Sequence, residues 1–477
     1  MSRTIFWYDF ETTGTNPRCD RPLQVAGLRT DEDLNIVGEP LNLYCRLGDD
    51  ILPHPAACLI TGITPERLER EGLPEATFMA HLHAHISQPG TCTAGYNTLR
   101  FDDEVTRHSL YRNFYDPYAR EWQGGNTRWD LIDLLRAAYA LRPEGIEWPQ
   151  DEGRVTLKLE RLSQANDLEH GQAHDALSDV HATIQLARLV RDRQPRLYHF
   201  LYQLRHKRSV LEHITLLKPL VHVSGRFSAE RNFLSIVLPL CWHPHNRNAL
   251  VVCDLHFDPS PILELDVQTL HQKLYTRRED LLANDELPVP LKLIQINRCP
   301  VLAPLAVLRE QDQERLQINM QMYKQRAALL QSKAKIWRDK LSQLYQIKAE
   351  NAVFDPEQQL YNGFICESDR RLCDEIRSCD PIKLVDKRWL FTDERLPELY
   401  FRYRARNFSH TLTAEEQGRW HSFCRDRLIN SELGAPNTLS SFEEALHALV
   451  QTASESQQAL LNTWRVHAQQ LRTRFGV

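Results

Sequence analysis

The chain has 477 residues, of which 42% are hydrophobic and 25% charged, and carries a formal net charge of −5. Those values exclude a disordered or fibrous protein, and the length calls for more than one domain. The apolar run Ile5-Phe6-Trp7-Tyr8 ends in a carboxylate, and no apolar stretch reaches the roughly 18 residues of a membrane helix, so a soluble cytoplasmic protein is expected.

The charge is unevenly placed. Residues 1–195 hold 20 Lys+Arg against 30 Asp+Glu, net −10, while the remaining 282 hold 38 against 33, net +5. An acidic first part beside a basic remainder suits a cation-gathering site joined to modules that hold a polyanion. The 11 cysteines are scattered and form no zinc-finger spacing, so free thiols are expected, Cys373 and Cys379 included.

In chain order, Ile5–Glu11 reads as a strand, with further strands at Gln24–Arg29, Leu41–Arg46 and Thr91–Tyr96. Helical spacing follows over Trp129–Leu141 and Leu157–Ala165. A longer helix carries Leu177, Val180, Ile184, Ala187 and Val190 and stops near Gln194-Pro195. This pattern is α/β, and the proline marks a boundary. Short β runs then appear at Pro219–Val223, Leu234–Leu240, Ala249–Leu255 and Leu291–Ile296, followed by a helical stretch over Gln311–Tyr345. After Asn351 the chain is mostly helical, and Ser441-x-x-Glu444 reads as a capping box before Ala445–Leu449. Three domains are expected: 1–195, 196–350 and 351–477.

Strand periodicity places Asp9 and Glu11 on one face of the first strand and Tyr8 and Phe10 on the other. Paired carboxylates on an apolar strand repel one another and lose hydration unless a cation or proton compensates them. Hard oxygen donors in pairs suit Mg²⁺ or Mn²⁺ rather than zinc. Alone, so short and common a pattern fits a solvated strand end better than a site. Two later segments change its standing: Asn97 to Phe101-Asp102-Asp103-Glu104, where a strand meets an acidic helix start, and His174-Asp175-Ala176-Leu177-Ser178-Asp179, at the head of the long helix.

That ordered set resembles the DEDD exonuclease superfamily in its histidine-containing subgroup, which has a ribonuclease-H-like fold. The resemblance implies Asp9, Glu11, Asp102 and Asp179 as ligands of two divalent metals and His174 as general base. Asp103 rivals Asp102, which the family pattern favours by its place directly after Phe101. Asp175 rivals Asp179 and reads as an N-terminal helix acid. Segments spread from end to end, among them Leu59-Ile60-Thr61-Gly62-Ile63-Thr64-Pro65, Trp242-His243-Pro244-His245-Asn246-Arg247-Asn248 and Tyr403-Arg404-Ala405-Arg406-Asn407-Phe408, are similar to the bacterial exonuclease I family. That family implies an α/β exonuclease domain, an SH3-like β domain and an α-helical C-terminal domain. It also implies processive 3′→5′ removal of 5′-mononucleotides from single-stranded DNA with Mg²⁺, in repair and recombination, by a monomer.

The residues themselves agree on substrate. Arg107, Arg112, Tyr115, Tyr118 and Trp122 mix cations with aromatic rings beside Asp102, as single-strand binding requires. Residues 196–225 hold five Lys+Arg against one Asp+Glu. The resemblance implies DNA contacts at Arg107, Tyr118, Trp122, Arg136, Lys207, Asn248, Lys292 and Asn297, with Glu11 and Lys158 at the terminal nucleotide. Lys158 stands where the family usually has Arg, keeping the charge without the bidentate fork. Arg142 and Arg309 match positions for docking the acidic C-terminal tail of single-strand DNA-binding protein. Competing readings are an exoribonuclease or proofreading exonuclease of the same superfamily, and a non-catalytic DNA-binding scaffold.

Overall fold

A computed structural model describes residues 3–168, 175–284, 286–346 and 355–477. The chain divides into two compact units, Met1–Thr127 with Glu169–Ile184 and Ala352–Val477, and Arg128–Leu168 with Gln185–Asn351. No described helix is long and apolar enough to cross a membrane.

The first unit is built on β1 (Thr4–Thr12), β2 (Pro22–Asp31), β3 (Leu41–Cys45), β4 (Gly72–Leu73) and β5 (Thr91–Gly95). With β6 (Thr127–Asp130), where the chain leaves this unit, they form a sheet of order β4-β3-β2-β1-β5-β6. β1 is rich in β-branched and aromatic residues and pairs antiparallel with β2 along its length, with a register shift between Glu11 and Thr12. Its parallel pairing with β5 runs only from Thr4↔Thr91 to Trp7↔Ala94. The pairing with β5 ends at Trp7, before the end of β1 that carries Asp9 and Glu11. Gly95 lies at this end of the pairing, and a Cβ there would sit 2.5 Å from the Tyr8 carbonyl oxygen and 2.1 Å from Thr98 Oγ1. Only glycine fits so close an approach.

Helices α1 (Pro55–Thr61), α2 (Pro65–Glu71) and α3 (Glu75–Ile86) fill the connection from β3 to β5, and α4 (Asp102–Arg112) follows β5. Helices α1 to α3 are additions to the elements expected from periodicity. Their starts are nonetheless conventional: Thr64 accepts from Arg67 N with Pro65 at the first position of α2. Phe6, Tyr8 and Phe10 on one face of β1 pack with Val25, Phe78 and Val105, as the alternation predicts.

The described residues from 355 to 477 belong to this compact unit. Leu23, Ile63 and Leu68 bury against Phe442, Trp464 and Leu471, and the Trp464 indole donates to the Ile63 carbonyl at 3.0 Å. A buried ion network links the same parts. Arg21 and Arg406 pair with Glu357, Arg406 also holds Asp50 at 2.8 Å, and Arg402 holds Asp355 at 2.7 Å. The capping box near residue 441 lies one turn earlier than expected. Thr438 is the cap and Ser441 its reciprocal partner, so the helix runs Leu439–Val450. The hydroxyl of Ser441 is used inside the box, which leaves Thr438 to close it.

In the second unit come α5 (Leu131–Leu141), the hairpin β7 (Gln150–Asp151) and β8 (Arg154–Val155), and α6 (Leu159–Ala165). Helix α7 (Ala176–Arg193) passes from the first unit into the second. A five-stranded sheet follows, of β9 (Leu220–Val223), β10 (Leu234–Trp242), β11 (Ala249–Asp254), β12 (Leu291–Gln295) and β13 (Val301–Pro304), in the order β12-β11-β10-β9-β13. β13 is an addition to the strands the sequence predicts. The helical stretch over 311–345 is three helices, Glu310–Arg315, Met320–Ser332 and Ala334–Leu344. All eleven cysteines are free thiols.

Candidate metal centre and nucleic-acid path

At the open end of β1, carboxylate oxygens of Asp9, Glu11 and Asp179 lie within 4.8 Å of one another, the one such group of three found among the described residues. Asp9 and Glu11 come from the polar face of β1, and Asp179 from the first turn of α7. Asp102, at the start of α4 and buried, accepts from Phe10 N at 3.1 Å, between the two β1 acids. The pairing with β5 has already ended there.

These acids are held against their electrostatic preference. Burial, followed by the charges of Asp102 and Asp179, raises Asp9 well above the ordinary carboxylate range. Burial, then Asp9, Asp179 and Asp175, pushes Glu11 up to about 9. Such a cluster stays ionised only beside cations, and its all-oxygen donors fit a hard divalent ion. A pH dependence follows. An acid whose folded value is raised keeps a proton that the unfolded chain has lost. Without divalent ions, stability therefore falls as pH rises from about 4.3, the unfolded glutamate value, to about 9. Mg²⁺ is expected to raise Tm, by more at pH 8.5 than at pH 6, in calorimetry or dye-monitored melts. An equal gain at both pH values contradicts this.

The rivals of the ligand set are placed differently. Asp103 turns to the opposite side of β1, where it accepts from the Tyr8 hydroxyl at 2.8 Å and from Arg120 at 2.6 Å. Asp175 accepts from Ser178 N at 3.3 Å, an N-terminal helix contact. His174 lies outside the described residues.

Near α4, the Arg107 guanidinium is held by Glu104 at 2.8 Å and Glu121 at 2.7 Å, and also donates to the Tyr361 hydroxyl at 3.2 Å. It is buried, its charge neutralised in place, and stands 5.5 Å from the Tyr118 ring centre. Arg107 thus supports Tyr118 and is not an open cation in this arrangement. The Tyr118 ring is half-buried, with Phe364 at 5.8 Å, and Trp122 is 66% exposed. Tyr361 and Glu121 were not singled out in the sequence, and Glu104 only as part of the acidic helix start. Glu104 lies one helical turn from Arg107, a local spacing, whereas Tyr361 meets Glu104 from 257 residues away and no local pattern marks it.

In the second unit, Arg136 holds Asp133 at 2.7 Å, and a Cβ on Gly225 would lie 2.6 Å from its guanidinium carbon. Gly225 therefore makes room for Arg136. Among the described residues, Arg136 Nε and Lys292 Nζ are buried donors with no acceptor. Burial, against the pull of Asp254, lowers Lys292 to about 7, and its Nζ sits 3.8 Å from the Phe227 ring centre. Lys207 Nζ donates to Asn248 Oδ1 at 2.6 Å, bringing two expected contacts together. Asn297 is exposed, and Lys158 is exposed at the cap of α6. Arg142 and Arg309 also come together, sharing Asp312 at 3.1 and 2.8 Å. Arg315 lies 3.8 Å from the same carboxylate, a neighbour the sequence did not reveal.

Comparison with known proteins covers almost the whole chain. Residues 6–187 match the Exonuclease family, 205–347 the Exonuclease I SH3-like domain and 354–471 the Exonuclease I C-terminal domain. Exodeoxyribonuclease I of Escherichia coli (strain K12) is 46% identical, with 98% of each chain covered. That of Haemophilus influenzae is 42% identical over 96% of each. The structure of E. coli Exonuclease I with a dA16 oligonucleotide has a TM-score of 0.94 at 44% identity, covering 98% of this chain and 100% of that one. Similar structures include a zinc-bound E. coli ExoI–ssDNA complex, TM-score 0.93 at 44% identity, and an SSB/Exonuclease I structure with an inhibitor, 0.91 at 43%. Each covers 99% of this chain and 100% of its own. With an α/β exonuclease domain, an SH3-like domain and a helical C-terminal domain in that order, the chain belongs to the exonuclease I family.

Proposed function

We propose that the protein is a 3′→5′ exonuclease that degrades single-stranded DNA processively to 5′-mononucleotides. The observation that carries this reading is the clustering of Asp9, Glu11 and Asp179 with Asp102 at the open end of β1. The relatives' names and the oligonucleotide complexes support the substrate class. Domain boundaries near residues 195 and 350 agree with the gaps between the three family matches.

Asp9, Glu11, Asp102 and Asp179 would hold two divalent cations, Mg²⁺ with Mn²⁺ able to substitute. When bound, these supply Lewis-acid stabilisation of the charge that develops on the reacting phosphodiester. His174 takes the proton of the attacking water, a task suited to a group titrating near neutrality. Glu11 and Lys158 meet the terminal nucleotide. Tyr118 and Trp122 offer stacking faces to bases, with Arg107 fixing the first ring. Arg136 and Lys292 present buried donors that lack acceptors among the described residues, and phosphate oxygens supply them. Lys207, Asn248 and Asn297 continue the contacts.

Arg142 and Arg309 bind the carboxylate-rich tail of single-strand DNA-binding protein; a related structure is described as SSB/Exonuclease I. Arg142→Glu is expected to weaken capture of a tail peptide by at least about tenfold in fluorescence anisotropy, from loss of a charge-assisted bond and added repulsion. Unchanged affinity would remove the assignment. The protein acts as a cytoplasmic monomer in DNA repair and recombination. Matched single-stranded DNA, single-stranded RNA and blunt duplex test the function: mononucleotides are expected from the first alone. Comparable release from RNA favours the exoribonuclease reading.

A further inference from the structure

The side of β1 facing away from the acid cluster carries a second, fully buried polar group. The Asp103 carboxylate accepts from the Tyr8 hydroxyl at 2.8 Å and from Arg120 at 2.6 Å, and Arg120 also donates to Thr93 Oγ1 at 3.2 Å. Tyr8, Asp103 and Arg120 are each at most 1% exposed. Tyr8 belongs to β1, Thr93 to β5, Asp103 to α4, and Arg120 to the 3₁₀ turn Ala119–Glu121. The Asp103 carboxylate therefore joins three elements, and Arg120 extends the link to β5 through Thr93.

Its position in the chain is what matters. Tyr8 immediately precedes Asp9, and Asp103 immediately follows Asp102. On the front, Asp102 is bonded to Phe10 N at 3.1 Å, and on the back, Asp103 is bonded to Tyr8. The first turn of α4 thus grips β1 on both sides of Asp9, and neither bond survives a slide of the helix along the strand. A buried ion pair adds little stability relative to apolar packing of the same volume. Fixing geometry is the better account of its presence, because a carboxylate cluster binds a divalent ion only at set distances.

We propose that Tyr8, Asp103 and Arg120 form a positioning triad. It fixes Asp102 relative to Asp9 and so sets the divalent-cation affinity of the site. These three residues touch neither substrate nor ion; they act through Asp9 and Asp102. The inference rests on the ligand assignment above.

The test is direct Mn²⁺ binding to the full chain by electron paramagnetic resonance, together with the Mg²⁺ dependence of single-strand hydrolysis and KM for DNA. Tyr8→Phe keeps the ring and deletes one donor. It is expected to weaken Mn²⁺ binding and raise the half-saturating Mg²⁺ by about tenfold, the low end for a residue that orients ligands, with KM for DNA at saturating Mg²⁺ unchanged. Asp103→Asn combined with Arg120→Met removes both buried charges together, which protects the fold. It is expected to lose up to about 100-fold in Mn²⁺ affinity. Wild-type Mn²⁺ affinity in both variants, while Asp9→Asn abolishes binding, overturns the triad and leaves the ligand assignment standing. Undiminished Mn²⁺ binding in Asp9→Asn overturns the assignment itself.

Discussion

Asp9→Asn is expected to reduce turnover by about 10³-fold while the metal-free protein becomes more stable, not less. The loss is of the size seen when one preorganised electrostatic partner of a reacting group is removed. The gain in stability has a separate cause. Asp9 is raised by burial and by the charges of Asp102 and Asp179, and it raises Glu11 in turn. An amide of the same shape ends both repulsions, so in chelator the variant is expected to melt above the parent at pH 8. Adding Mg²⁺ narrows or reverses that difference, because the parent alone gains the full set of ligands. Steady-state rates on a labelled oligonucleotide and paired thermal melts measure the two effects. A variant retaining a tenth of parental turnover contradicts the role assigned to Asp9.

Arg406→Ala is expected to destabilise the protein by about 3–5 kcal/mol, the cost of leaving buried carboxylates without their cation. Arg406 is 9% exposed at its side chain and is bonded to both Asp50 and Glu357, which are 0% and 2% exposed. Burial alone would raise Asp50, but Arg406, then Arg427 and Arg21, hold it at about 2. A depressed carboxylate contributes stability that is complete above its unfolded value of about 3.9 and is lost as pH falls through about 2. In the variant that contribution vanishes, so the stability gap between parent and variant is expected to narrow as pH falls from 5 toward 2. Urea unfolding at several pH values reads it, and a gap that widens on acidification contradicts the account.

Much of the site was legible because it obeys local rules. Alternation along β1 put Asp9 and Glu11 on one face, and helical phase put Asp179 at the head of α7. The residues alone did not choose between Asp102 and Asp103, neighbours at one helix start, and only the family resemblance favoured Asp102. Tertiary partners separate them: Phe10 N takes one, and Tyr8 with Arg120 the other. Arg107 read as a free cation among aromatics, because nothing in the sequence pairs it with Glu121 fourteen residues on. The merging of the helical region with the first 127 residues was equally hidden. It depends on contacts such as Arg21 with Glu357, 336 residues apart, and a buried charge far along a chain leaves no periodic signal. Helices α1 and α2 were unread because seven-residue helices opened by proline lack a run long enough to show a period.

The central claim is that the β1 carboxylates and Asp179 carry metal-dependent hydrolysis from the 3′ end. A time course on a 5′-labelled single strand, with Mg²⁺ and with chelator, tests it most directly. The account predicts products shortened progressively from the 3′ end, no cleavage in chelator, and recovery when Mg²⁺ is restored. Release of the label as a 5′-terminal mononucleotide at the outset, or cleavage that persists in chelator, would contradict it.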